Sequence, residues 1–239
     1  WSYAAHLATH RAEVLARMEA VLTSGRLILG PWVERFEQHF AQACGAAHGI
    51  GVNSATDALF LALKSFAIGP GDEVLTVSNT AVPTVAAIRA TGATPVFADI
   101  NPDTFLMDPA HAAACCTART RCLLPVHLFG QMADLRALRA LADARGIPLL
   151  EDCAQATGAE QDGRRAGCVG DAAAFSFYPT KPLGGYGDGG MILTSNPDRA
   201  ARLRRLRFYG MERTYYAREE GYNSRLDELQ AAVLDMLLP

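Results

Sequence analysis

Phe175-Ser176-Phe177-Tyr178-Pro179-Thr180-Lys181-Pro182-Leu183-Gly184-Gly185-Tyr186-Gly187-Asp188-Gly189-Gly190 runs from an apolar, β-prone segment past one lysine into a glycine-dense loop. No other charge appears before Asp188, and Pro179 and Pro182 stiffen the backbone on either side of Lys181. A lysine held in a desolvated pocket can act as an amine nucleophile toward a carbonyl. The alternative is a loop lysine with its ammonium in water. Gly185-Tyr186-Gly187-Asp188-Gly189-Gly190 matches the pattern G-x-G-x-x-G, but a dinucleotide fingerprint follows a strand and opens a helix. Here the glycines follow a proline-rich loop and run into the strand-like Met191-Ile192-Leu193-Thr194, so the match is discounted.

Working outward, Gly146-Ile147-Pro148-Leu149-Leu150-Glu151-Asp152-Cys153-Ala154-Gln155 reads as a short apolar strand ending in an acid. Ligands of open α/β sheets bind beyond the carboxyl ends of the strands, which aims Asp152 into a crevice. Alone, such an acid serves equally as a helix cap or a metal ligand. Earlier still, Gly49-Ile50-Gly51-Val52-Asn53-Ser54-Ala55-Thr56-Asp57-Ala58-Leu59 breaks from a β-prone run into a helical pattern through Leu61, Leu63 and Phe66. Ser54 or Asn53 serves as N-cap, and the small residues beyond let a phosphate approach the free N–H groups of the first turn. A plain capped helix is the competing reading. There is no Walker-type Gly-Lys-Ser/Thr sequence. A lysine for an aldehyde, a carboxylate for a pyridine nitrogen and a phosphate cradle are together what pyridoxal phosphate requires.

Strand patterns fall near 48–52, 73–77, 94–98, 122–126, 147–151, 171–176 and 190–194, alternating with helical ones. This predicts an α/β fold with a mostly parallel seven-stranded sheet and helices on both faces. The clearest helix spans Ala133 to Arg145, with Leu135, Leu138, Leu141 and Ala142 at helical spacing and Gly146 as the stop. Arg199, Arg202, Arg204, Arg205 and Arg207 are expected on a solvated helix face, with a nearby nucleotide diphosphate as the alternative.

The 239 residues are 50 % hydrophobic and 20 % charged, with net charge −3 from 22 basic and 25 acidic residues. No basic run tracks nucleic acid, and no stretch reaches the roughly 18–20 continuous apolar residues of a membrane span. The start does not read as a signal peptide, so a cytoplasmic location is expected. Six cysteines include the pair Cys115-Cys116 but no C-x-x-C. Reduced thiols and no metal site are expected.

Taken together the chain resembles the DegT–StrS family of pyridoxal-phosphate nucleotide-sugar aminotransferases, which have the aspartate-aminotransferase fold. The resemblance is carried by Gly25-Arg26-Leu27-Ile28-Leu29-Gly30-Pro31, Asn53 to Leu59, Gly71-Asp72-Glu73-Val74 and Ser78-Asn79-Thr80. It continues through Val126-His127-Leu128-Phe129-Gly130-Gln131, Glu151 to Ala156, Ser176 to Gly190, and Gly221 to Ala232. It implies that Lys181 bonds the aldehyde of pyridoxal 5'-phosphate and shuttles a proton. Asp152 would pair with the pyridine nitrogen, and Gln155 would lie beside the phenolate oxygen. Ala55, Thr56 and Ser176 match phosphate-binding positions, and Asn223 matches an asparagine that reaches the phosphate from the neighbouring subunit of a homodimer. The implied substrates are a nucleotide-linked keto-deoxysugar and an amino donor, glutamate or glutamine.

The alternatives are a keto-cyclitol acceptor or a truncated paralogue that binds the cofactor without turnover. Lys181 argues against the family's dehydratase branch, where a histidine replaces the lysine. Three positions depart from the family pattern: Ala81 replaces a frequent aromatic residue, Thr157 a frequent histidine, and Pro182 a usual asparagine. Residues 1–239 are expected to form the cofactor-binding large domain with an N-terminal helical segment, the C-terminal small domain being largely absent. The stripe Leu226, Leu229, Val233 and Leu237 must be buried. It packs either on a second subunit or on its own domain, with Asn223 then capping the helix.

Overall fold

A computed structural model describes residues 2–238, without the Tyr3 side chain; Trp1 and Pro239, the ends of the expected domain, lie outside the described residues. Two helices, α1 (Tyr3–Ser24) and α2 (Pro31–Cys44), lead into β1 (His48–Val52), α3 (Ala55–Ser65), β2 (Glu73–Val77), α4 (Val82–Ala90) and β3 (Thr94–Ala98). There follow α5 (Pro109–Cys115), β4 (Thr120–Leu123), α6 (Leu135–Arg145) and β5 (Leu150–Asp152). The short ribbon β6 (Glu160–Gln161) with β7 (Arg164–Arg165) precedes β8 (Ala172–Ser176) and β9 (Gly190–Thr194). Last come α7 (Pro197–Leu206), the ribbon β10 (Met211–Arg213) with β11 (Tyr216–Ala217), and α8 (Glu228–Leu237).

The α/β class is as the sequence predicts, but the single seven-stranded sheet is found as two. A mixed four-stranded sheet runs β1-β9-β8-β5, and a parallel three-stranded sheet runs β3-β2-β4. Among the described residues their edges meet only at isolated parallel bridges, Leu123 with Leu149 and Val126 with Asp152. Pro125 and Pro148 lie along this seam, and a proline has no N–H to give to a ladder. The same prolines shorten the expected strands 122–126 and 147–151 to β4 and β5. β9 is antiparallel to both its neighbours. The β8–β9 connection is the lysine-bearing loop itself, and a return without a crossover helix makes an antiparallel pair.

Side chains alternate across a strand, and β8 uses both faces. Phe175, and Phe177 just past the strand end, meet α2 through edge-on ring contacts: Phe40 with Phe175 at 5.0 Å and Phe36 with Phe177 at 5.2 Å. Ser176 faces the other way, toward α3. The helix α6 begins with Asp134 as its cap, whose side chain accepts from Ala137 N–H, and ends at Gly146 with φ 63°. All six cysteines are free; burial pushes the Cys44 thiol up to about 12 and raises those of Cys122 and Cys153. Among the described residues no helix is long and apolar enough to cross a membrane.

The arginine stretch corrects its expectation. Arg202 and Arg205 pair with Glu219, Arg207 is buried against Glu37 and the Gly51 carbonyl, and Arg199 lies over Phe66. Acidic partners on distant elements draw this face inward, and of the five only Arg204 is exposed.

The stripe of α8 is covered by its own chain. Leu226 and Val233 are buried, as are Ala231, Ala232 and Leu234, while Leu229 and Leu237 are half-buried. Glu228 anchors α8 by accepting from the N–H groups of Gly30 at 2.8 Å, Trp32 at 3.1 Å and Val33 at 2.8 Å at the start of α2. A carboxylate is favoured at that positive helix end. Asn223 does not cap α8; the cap residue is Asp227.

Candidate active site

A cavity of about 250 Å³ opens where the C-terminal ends of β2, β5 and β8 meet the N-termini of α3 and α4. Ala55, Thr56, Asp152, Gln155, Ser176 and Lys181, six residues expected at the site, all line it. Asn223 does not; it is exposed on the segment before α8. Its neighbour Ser224 is buried and donates to Asn53 Oδ1 at 3.1 Å, which ties that segment to the start of α3.

The cradle at α3 follows from its sequence. Ser54 is extended and its Oγ accepts from Asp57 N–H at 3.1 Å, so Ser54 is the cap. The first-turn N–H groups of Ala55 and Thr56 have no intrahelical acceptor. Ala55, Thr56 and Ser176 line the same cavity, and Ser176 Oγ accepts from Tyr178 N–H at 3.2 Å and keeps its own hydrogen to donate. Gly190 permits this packing: a Cβ there would meet Ser54 C, Ser54 O at 2.5 Å and Ala55 N at 2.8 Å. That donor set suits a phosphate dianion.

Asp152 is buried at the end of β5. Thr84 Oγ1 donates to its Oδ2 at 2.8 Å, and Ala154 N–H to its Oδ1 at 3.1 Å. Burial pushes its carboxyl above the usual range, opposed by Thr84, by the Ala154 N–H and by electrostatic attraction to His127 and Lys181. An acid so placed is stabilised as the anion by a cation in the cavity, the charge a protonated pyridine nitrogen carries.

Glu151, one residue earlier, points to the opposite face. Its carboxylate accepts from His127 Nε2 at 2.9 Å and from the N–H groups of Gly167, Val169 and Gly170. His127 Nδ1 accepts from Ala133 N–H at 3.2 Å, so Nε2 carries the proton. Glu151 and His127 lie beside Cys153, but these bonds already commit both the ring and the carboxylate.

Gln155 Oε1 accepts from Phe129 N–H at 2.8 Å, at a residue with φ 58°. This fixes the amide so that its NH₂ is the free donor. Lys181 is half-buried in a tight turn, its own N–H bonded to Tyr178 O at 2.8 Å. Ala81 and Pro83 line one wall with aliphatic surface. Thr157 and Pro182, the other two departures, line a separate cavity near the end of α8. Thr84 and Thr80 are the site residues that sequence reading missed. Their signal was four-residue spacing at the start of a helix that follows β2, the same strand-end rule that singled out Asp152.

A profile of the DegT/DnrJ/EryC1/StrS aminotransferase family matches residues 8–238. The chain is 54 % identical over 235 residues to the dTDP-3-amino-3,4,6-trideoxy-alpha-D-glucose transaminase of Micromonospora megalomicea subsp. nigra, covering 98 % of this chain and 63 % of that protein. The crystal structure of DesV from S. venezuelae superposes with a TM-score of 0.96 at 50 % identity, over 98 % of this chain and 63 % of that one. That of NtdA from Bacillus subtilis, with bound cofactor PMP, gives 0.90 at 31 % identity, over 95 % and 52 %. The chain thus spans less than two thirds of the length of each of these relatives.

Proposed function

We propose, because this chain belongs to the DegT/DnrJ/EryC1/StrS aminotransferase family, that it binds pyridoxal 5'-phosphate and serves amino transfer to a keto carbon of a nucleotide-linked deoxysugar. In this reading residues 1–239 form the cofactor-binding large domain. The observation that carries it is one cavity that unites Lys181, buried Asp152 and the free N–H groups of α3. These residues fit the cofactor's three chemical demands: an amine, an anion and a phosphate cradle.

When bound, the cofactor supplies an electron sink for the negative charge that develops at the carbon bearing the transferred nitrogen. Asp152 holds the proton of the pyridine nitrogen, without which that sink is weak. Ala55 and Thr56, through their N–H groups, and Ser176, through its hydroxyl, hold the phosphate. Gln155 would offer its NH₂ to the ring oxygen, and Ala81 and Pro83 would help to exclude water from the cavity. Lys181 would hold the aldehyde carbon through Nζ, and the same amine would move a proton at the carbon that bears the transferred nitrogen. Asn223, exposed and tied through Ser224 to the cradle, is the residue a second copy would receive in a cytoplasmic homodimer with shared sites. Glutamate or glutamine is the donor in this reading.

The test is a half-reaction. Protein loaded with pyridoxal 5'-phosphate and given glutamate or glutamine should release the corresponding 2-oxo acid in stoichiometric amount. It should then aminate a dTDP-linked keto-deoxysugar. Cofactor-loaded protein that releases no 2-oxo acid from either donor would overturn the assignment.

A further inference from the structure

Two hydroxyls stand behind Asp152 in a fixed order. Thr84, 1 % exposed in the first turn of α4, lies with its Oγ1 2.8 Å from Asp152 Oδ2. Thr80 Oγ1 lies 2.7 Å from Thr84 Oγ1, and Thr80 also lines the cavity. An ionised carboxylate only accepts, so Thr84 must spend its single hydrogen on Asp152. Thr84 then has only lone pairs to offer Thr80, and the Thr80 hydroxyl must donate. With Asp152 ionised the direction along the chain is therefore Thr80 to Thr84 to Asp152. Hydroxyls in such a row polarise one another and strengthen the last bond.

The arrangement also fixes the rotamer of the acid. One oxygen is held by Thr84 from α4 and the other by Ala154 N–H from the turn after β5. The remaining lone pairs face the cavity. The charged and titratable groups near Asp152 are His127 and Lys181, with Glu151 and the buried Cys153 thiol adjacent in the chain. His127 already gives its Nε2 proton to Glu151. Among the described residues, Thr84 is therefore the one side chain that hydrogen-bonds Asp152.

We propose that Thr80 and Thr84 form a directed hydroxyl relay that positions Asp152 and keeps it ionised toward the cofactor, with Thr84 as a positioning residue. The proposal rests on the cofactor reading above. It deepens that reading by assigning the control of the ring-nitrogen contact to a helix other than the one that binds the phosphate.

The test compares Thr84→Val, Thr84→Ser and Thr80→Val. The first readout is the carbon-13 carboxyl titration of Asp152 in cofactor-free protein, assigned with Asp152→Asn. The second is the affinity for pyridoxal 5'-phosphate by equilibrium dialysis. Thr84→Val should raise the titration of Asp152 and weaken cofactor binding by roughly ten- to a hundredfold, the equivalent of one hydrogen bond to a charged group. Thr84→Ser should restore both, and Thr80→Val, at a half-buried position, should shift both in the same direction by less. A folded Thr84→Val protein that titrates and binds as the parent does would overturn the relay. So would a Thr84→Ser protein as impaired as Thr84→Val, because only the methyl would then matter. If Thr84→Val does not fold, an unshifted Asp152 titration in Thr80→Val overturns it. Failure of the parent to bind the cofactor would sink the functional reading alone, because the titration still reports on the relay.

Discussion

Replacing Gly190 by alanine tests the cradle through packing alone. The added Cβ would lie 2.5 Å from Ser54 O and 2.8 Å from Ala55 N, while ordinary contact begins at 3.4 Å. Both atoms are backbone, so no side chain can rotate away. Either β9 or the first turn of α3 must move by about 0.9 Å, the gap between 2.5 and 3.4 Å. Overpacking of this kind costs about 1–3 kcal/mol of stability. The same displacement turns the N–H groups of Ala55 and Thr56 off the phosphate. Each hydrogen bond to a charged group contributes about 1.5–3 kcal/mol, so partial loss of two amounts to about 2–4 kcal/mol, or roughly 30- to 700-fold in affinity. Equilibrium dialysis with pyridoxal 5'-phosphate, paired with a urea melt, separates the two effects. Gly189→Ala is the control, because its Cβ meets only side-chain atoms of Leu226 and Phe177, at 3.1 Å or beyond. A Gly190→Ala protein with parental affinity would refute the claim that α3 and β9 together form the phosphate site.

Other consequences concern the buried acids. Burial raises the Asp152 carboxyl, so its ionisation costs folding free energy, and stability falls as pH rises from the unfolded to the folded pKa. Asp152→Asn should accordingly raise the melting temperature of the cofactor-free protein at neutral pH, not in acid, while weakening cofactor binding. Glu151 has the opposite sign. Burial opposes its charge, but His127 and the N–H groups of Gly170 and Gly167 outweigh it and hold the carboxyl below the usual range. Its contribution is present above the unfolded carboxylate pKa and is lost as pH falls through the folded one. Glu151→Gln should flatten that acid limb in melts followed by circular dichroism, and a parental acid limb would refute the assignment. Glu228→Gln leaves an amide where a carboxylate accepts three N–H groups at the start of α2, and should cost about 1–3 kcal/mol in a urea melt.

How much of this was legible depended on the sequence separation of the partners. The cap of α3, expected at Ser54 or Asn53 and found at Ser54, and the stop at Gly146 both act within a few residues. Lys181 was visible through its isolation among prolines and glycines, and Asp152 through its place at a strand end. The bond from Thr84 to Asp152 spans 68 positions, and a threonine in a first helical turn looks ordinary until the fold closes. The same holds for Glu228, whose acceptor contacts with the start of α2 join residues up to 198 positions apart. Arg207 with Glu37 is a similar case, and charges destined for burial read as a solvated face. The division of the sheet was written in Pro125 and Pro148, yet hydrophobic periodicity continues across both. Periodicity finds apolar runs and is blind to a missing N–H.

The most direct measurement is reductive trapping of the cofactor. The chain has only two lysines, Lys64 and Lys181. Lys64 lies in the last turn of α3 and does not line the cavity. Protein equilibrated with pyridoxal 5'-phosphate, reduced with borohydride and digested should carry the pyridoxyl adduct on the peptide containing Lys181, and Lys181→Arg should abolish it because a guanidinium cannot be deprotonated to attack the aldehyde. An adduct on Lys64, or persistent labelling in the Lys181→Arg protein, would contradict the account.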